Sequence, residues 1–116
     1  MRVLIVEDEP ATALLLEGML TELGFEQIDI AYDTGAARDA LGLASPDLAI
    51  LDVNMASGPI LRLAEKLRVR DVPVLFSSCQ PASEMAPEWS GRTLVPKPLD
   101  KRMLHAALRE LGFENN

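Results

Sequence analysis

Five polar side chains stand where short apolar runs end, and their types are those of phosphoryl chemistry. Glu7 and Asp8 follow RVLIV, Asp52 follows DLAIL, Ser78 lies just past PVLF, and Lys97 follows TLVP. Three carboxylates gathered in one place repel one another, so either one stays protonated or a cation sits among them. Mg²⁺ suits such a set. It is a hard ion that takes a few carboxylate oxygens, keeps several waters and leaves room for a phosphate oxygen. With the ion held, a free oxygen of Asp52 can attack an activated phosphorus in line. Lys97 and Ser78 can then help Mg²⁺ meet the charge on the equatorial oxygens, so catalysis is mostly positioning and electrostatics.

That chemistry requires the five residues to meet, and the periodicity of the chain supplies a way. Short apolar runs alternate with amphipathic stretches, the pattern of βαβ units around a parallel sheet. Arg2 to Val6 predicts a first strand covered on both faces. Pro10 opens a helix in which Leu14, Leu15, Met19, Leu20 and Leu23 recur at helical spacing until Gly24 stops it. Ile28 to Tyr32 predicts strand two. Thr34 caps a helix to about Leu43, and Asp47 to Leu51 predicts strand three, with Asp52 at its carboxyl end. Residues 59–69 read as a helix started by Pro59, and Val72 to Phe76 as strand four. Thr93 to Val95 reads as a short strand five. Asp100 caps a last helix whose buried stripe is Met103, Leu104, Ala107, Leu108 and Leu111, closed by Gly112.

The stretch from Cys79 to Arg92 carries Pro81, Pro87 and Gly91 with little apolar periodicity, so it reads as irregular, with at most one helical turn. A helix four between the last two strands is therefore expected to be shortened or irregular. The fold class is α/β: a doubly wound five-stranded parallel sheet of flavodoxin-like order 2-1-3-4-5. In such sheets ligands bind beyond the carboxyl ends of the strands, where strand order reverses. Strands one and three are then adjacent, and the polar strand ends share one rim. No internal repeat or linker is evident.

Composition narrows the function classes. With 116 residues and 48% hydrophobic content, the chain fits one domain spanning 1–116. A net charge of −7 opposes the phosphate backbone, which argues against nucleic-acid binding. No apolar run approaches the roughly 20 residues that span a bilayer, and the acidic start is unlike a signal peptide. Neither a membrane partner nor a secreted setting is expected. A lone Cys79 forms no internal bridge, which fits a reducing, cytoplasmic location.

VLIVEDEP, DLAILDVNM, PVLFSS and VPKP, taken in order and at strand ends, resemble the response-regulator receiver domain of bacterial two-component systems, the CheY-like fold. The resemblance runs nearly end to end. It implies that Asp52 is the phosphoacceptor, that Asp8 and the backbone carbonyl of Asn54 contact the metal directly, and that Glu7 acts through a metal-bound water. It places Ser78 as the switch hydroxyl and Lys97 as the invariant lysine, with Pro98 suggesting a cis peptide. The implied donor is a sensor histidine kinase or histidine phosphotransfer protein, docking near the first helix, and the implied output is contact with a downstream protein. The domain is then a phosphoacceptor that assists its own phosphorylation and slow dephosphorylation, not a turnover enzyme.

Two departures bear on mechanism. Leu94 replaces the usual switch aromatic, so ring rotation cannot be the signal, and the loop VNMASGP is short. Phe76, Ser77, Ser78, Cys79 and Gln80 partly match the FAT GUY motif of stand-alone receivers. Plainer readings stand beside these: Asp52 as a turn residue, Ser78 bonding local backbone, Lys97 as a solvated charge, His105 as an ordinary helical histidine, Cys79 and Trp89 as loop packing, and the methionines as core filler. The alternatives to a working receiver are a pseudo-receiver that binds without phosphorylation and an aspartyl-phosphate hydrolase. The latter class places a DxD pair after its first strand.

Overall fold

The computed structural model describes residues 1–55, 60–79 and 92–113. Five strands, β1 (Arg2–Val6), β2 (Gln27–Ala31), β3 (Leu48–Asp52), β4 (Val74–Ser78) and β5 (Leu94–Pro96), form one parallel sheet of order β2-β1-β3-β4-β5. Among the described residues there are four helices: α1 (Pro10–Glu22), α2 (Thr34–Leu43), α3 (Ile60–Val69) and α4 (Lys101–Glu110). The doubly wound α/β class expected from the periodicity is the observed one.

Successive strand side chains point to opposite faces, which divides the core in two. Val3, Ile5, Leu48, Ile50 and Leu75 pack with α1 and α4, while Leu4, Val6, Ala49, Leu51 and Phe76 pack with α2 and α3. Every residue of β3 is buried, so its side chains must suit both layers. That is why the apolar runs are continuous and not alternating.

Element ends depart from expectation in instructive ways. Strand four starts and finishes two residues later than expected, so Ser78 is its last residue and not a loop residue after it. Pro73 lacks an N–H for the ladder, and pairing begins at Ala49↔Val74. The cap of α2 is Asp33, whose Oδ1 accepts from the Ala36 N–H at 2.7 Å, and not Thr34, which is buried as the first helical residue. Asp100 caps α4 as expected, accepting from the N–H groups of Arg102 and Met103. The α1 stripe is also different: Ala13, Leu16 and Leu20 are buried, whereas Leu14 and Leu15 stand 57% and 51% exposed. In α4 Met103 is exposed, as is Met1, so the core-filler reading fails for both. Residues 80–91, with Trp89, and Pro59 lie outside the described residues.

The pentapeptide ELGFE occurs twice, at Glu22–Glu26 and Glu110–Glu114, a short repeat that the periodicity alone does not bring out. Its two copies end α1 and α4 with the same turn. Gly24 and Gly112 adopt φ of 102° and 95°, and the Phe25 and Phe113 N–H groups each donate 3.0 Å back, to the Leu20 and Leu108 carbonyls. A side chain with a Cβ is strained at such φ, so glycine is required at both. The two rings then meet at 5.9 Å, tying the ends of the helices together.

Leu16 and Leu15 are sequence neighbours with opposite environments, and this yields a sharp comparison. Leu16→Ala is expected to cost about 2–5 kcal/mol through lost burial and a cavity. Leu15→Ala should stay within about 0.5 kcal/mol. Urea unfolding of the two variants checks this, and equal losses would mean that α1 packs in another rotation.

Candidate functional site

The sheet order sets β1 beside β3, with Val6↔Leu51 the last paired residues. The next residues, Glu7 and Asp52, therefore arrive together at the carboxyl edge. Ladder bonds continue past the strand ends and hold the backbones in place. Glu7 N–H donates to the Ala31 carbonyl at 3.0 Å, Val53 N–H to the Ser77 carbonyl at 2.9 Å, and Lys97 N–H to the Ser78 carbonyl at 2.8 Å. The last of these carries the lysine from the sheet edge back toward the centre. The Lys97–Pro98 peptide is cis, as the resemblance suggested.

Lys97 Nζ lies 2.8 Å from Glu7 Oε1 and 3.2 Å from Asp52 Oδ2. Both acids are 2% exposed, whereas Asp8 faces solvent. The remaining Asp52 oxygen, Oδ1, accepts from the Asn54 N–H at 2.9 Å. Asn54 also reaches across the rim, where its Oδ1 accepts from the Cys79 N–H at 3.2 Å. Asn54 was expected here for its backbone carbonyl; the side-chain link to the residue after Ser78 was not foreseen. An Asn two residues beyond an Asp in a turn is a signal that could have raised it. Ser78 is buried, one residue beyond Ser77, the register partner of Asp52. Leu94 opens β5 and packs half-buried against the second core layer, and His105 is half-buried on α4, away from this rim.

The donor set fits a hard divalent cation. Glu7, Asp8 and Asp52 each offer a carboxylate oxygen, and these oxygens lie within 4.8 Å of one another. Glu7 Oε2 is buried with no hydrogen-bond partner, an arrangement that costs free energy unless something positive completes it. Burial, with the Asp52 carboxylate beside it, pushes the Glu7 carboxyl up to about 7 against the pull of Lys97. Burial draws the Lys97 ammonium down, but Glu7 and Asp52 more than offset this and hold it above its ordinary value.

The folded protein binds a proton at Glu7 more tightly than the unfolded chain does, so this group's contribution to stability falls as pH rises from the ordinary glutamate range through about 7. A cation entering the cluster must displace that proton below pH 7. Apparent Mg²⁺ affinity is therefore expected to rise by up to about tenfold per pH unit below 7 and to level off above it. Calorimetric titration at pH 6 and pH 8 checks this; equal affinities would remove Glu7 from the cation site.

Known proteins resemble this chain in sequence and in fold. The family model described as the response regulator receiver domain matches residues 3–109. The phyllosphere-induced regulator PhyR of Methylorubrum extorquens is 29% identical over 115 residues, covering 96% of this chain and 43% of that protein. The transcriptional activator protein IrlR of Burkholderia pseudomallei is 34% identical over 117 residues, covering 96% of this chain and 50% of that one. The chain thus spans about half the length of the curated relatives it matches. Among solved structures, the BeF3-activated conformation of SdrG from Pseudomonas melonis Fr1 superposes with a TM-score of 0.81 at 31% identity, covering 95% of this chain and 94% of that one. With its flavodoxin-like sheet and acidic rim, the chain belongs to the response regulator receiver domain family.

Proposed function

We propose that this receiver domain accepts a phosphoryl group on Asp52 and signals through a protein contact. The observation that carries the reading is the shared ammonium: Lys97 bridges Glu7 and Asp52 at the carboxyl edge of the sheet, beside a third carboxylate. The donor is a phosphohistidine of a sensor histidine kinase or histidine phosphotransfer protein. An Asp52 carboxylate oxygen forms the new O–P bond as the P–N bond breaks, and the electron pair leaves with the donor imidazole. Lys97 and Ser78 stabilise charge on the transferred oxygens. Glu7, Asp8, Asp52 and the Asn54 carbonyl would hold Mg²⁺, which when bound supplies positive charge to the carboxylates and the phosphoryl oxygens. Hydrolysis of the acyl phosphate resets the domain.

The apolar pair Leu14 and Leu15 is exposed on α1, the helix that begins just after Glu7 and Asp8, and this supports docking of the donor there. The likeness to a BeF3-activated receiver supports the same chemistry. Phosphohistidine donors are charged by ATP inside the cell, so the setting is cytoplasmic. Among the described residues no helix is long and apolar enough to cross a membrane. Output passes to a separate downstream protein, in the manner of the stand-alone receivers whose FAT GUY motif is partly matched.

Acetyl phosphate with Mg²⁺ is expected to add one phosphoryl group per chain, read by intact mass. Continuous phosphate release from small phosphomonoesters would identify a hydrolase instead, and no labelling with acetyl phosphate or beryllofluoride a pseudo-receiver. Asp8→Ala should weaken Mg²⁺ at least about tenfold, because the cluster loses its exposed carboxylate. An unchanged titration would remove Asp8 from the site.

A further inference from the structure

The outer face of α3 departs from the charge of the rest of the molecule. Between residues 60 and 71 lie four of the eleven cations, Arg62, Lys66, Arg68 and Arg70, in a chain whose net charge is −7. Two acids share the segment: Glu65 pairs with Arg68, and Asp71 follows Arg70, so the cations are still in excess there. Arg62, Lys66 and Arg70 recur every fourth residue, an array about 12 Å long at 1.5 Å per residue. With Glu65 and Val69 they line a shallow groove of about 490 Å³.

Helix electrostatics do not account for this array. Cations in the last turn complement the helix dipole, which explains Lys66 and Arg68. Arg62 lies in the first turn, where the same dipole opposes a positive charge. Arg70 is preorganised: its Nη1 donates to the Leu41 carbonyl at 2.8 Å and lies 3.4 Å from Ser45 Oγ, which fixes the guanidinium between the ends of α2 and α3. Two apolar side chains flank the cations, Val69 at 70% exposure and Leu43, two residues past the carbonyl that Arg70 holds, at 90%. Both are at the end of the sheet away from Asp52, since α3 runs back from the carboxyl edge.

We propose that this α3 groove, with the end of α2, docks an acidic protein segment carrying carboxylates at helical spacing and one apolar side chain. Charge complementarity selects that occupant. The whole-molecule charge of −7 disfavours approach to an anionic bilayer or nucleic acid, whereas a short acidic helix meets only the local cations. Because α3 and α1 pack on opposite faces of the sheet, a partner held in this groove leaves the exposed α1 leucines open to the donor.

The test is an amide NMR titration of the full chain with a synthetic helical peptide bearing Glu at every fourth position and a central Leu. Shifts are expected at residues 62–70 and 41–45, with binding weakened about tenfold by R62Q with K66Q and by raising salt from about 0.05 M to about 0.5 M. Both substitutions are at exposed positions, and acetyl phosphate labelling of the double variant should match the parent, which separates this proposal from the assignment of Asp52. Absence of shifts, shifts confined to other faces, or equal binding of a Lys-for-Glu peptide would overturn it. So would tighter α3-dependent binding to phosphatidylglycerol vesicles, or self-association lost in the double variant.

Discussion

Asp52→Asn is expected to abolish phosphoryl labelling by acetyl phosphate while leaving the fold intact. The amide is nearly the same shape as the carboxylate, so the Asn54 N–H keeps an acceptor and the buried site keeps its packing. What disappears is the anionic oxygen that forms the O–P bond, and no neutral amide replaces it at neutral pH. The substitution also removes a negative charge from beside Glu7. Asp52 is one of the causes that hold the Glu7 carboxyl up at about 7, so that carboxyl should move back toward its ordinary value in the variant. Thermal unfolding should accordingly fall less between pH 5 and pH 8 than in the parent. Intact mass and peptide mapping read the first effect and a pH series of melts the second. Labelling that persists on Ser78, Asp8 or His105 would move the acceptor elsewhere.

The parts of this site legible in the sequence are those fixed by the sheet. A parallel strand buried on both faces must be a continuous apolar run, and its first polar residue must emerge at the carboxyl edge. Glu7, Asp52 and Lys97 could therefore be placed at one rim from the ends of RVLIV, DLAIL and TLVP alone, and they meet there. Features that depend on helix rotation were less legible. Leu14, Leu15 and Leu16 are three identical neighbours, and a run of apolar residues does not say which turns inward; the structure buries only Leu16. Ser78 was displaced for a related reason. Val72 and Pro73 extend the apolar run before pairing begins, so counting from the start of the run shifts the strand by two residues. Asp33 was overlooked as the α2 cap because the following Thr34 satisfies the same rule. The role of Asn54 rests on resemblance alone, since spacing gives no reason to single out one amide, whereas Ser78 is also marked by its place after PVLF. The structure ties Asn54 to Asp52 through its N–H and to Cys79, the residue after buried Ser78, through its side chain.

Lys97→Met should produce the other large effect, on stability as well as on chemistry. The ammonium is the counter-ion of both buried acids, at 2.8 Å and 3.2 Å. Methionine keeps the length of the stem and removes the charge, leaving two carboxylates side by side with Glu7 Oε2 already unpartnered. Breaking a buried pair from one side costs about 3–5 kcal/mol, and that loss is expected in metal-free buffer near pH 8. Toward pH 5 it should shrink, because a glutamate whose folded value is raised takes up its proton and the repulsion ends. Added Mg²⁺ should restore part of the loss by binding only the folded state. Labelling by acetyl phosphate should slow by about 10²–10³-fold even when Mg²⁺ has restored the fold, the usual scale for losing one group that stabilises transition-state charge. Urea titrations at the two pH values, with and without Mg²⁺, separate these contributions from the labelling rate. A variant as stable at pH 8 as at pH 5, with its labelling rate unchanged, would mean that Lys97 serves neither acid and that the rim is not the phosphoryl site.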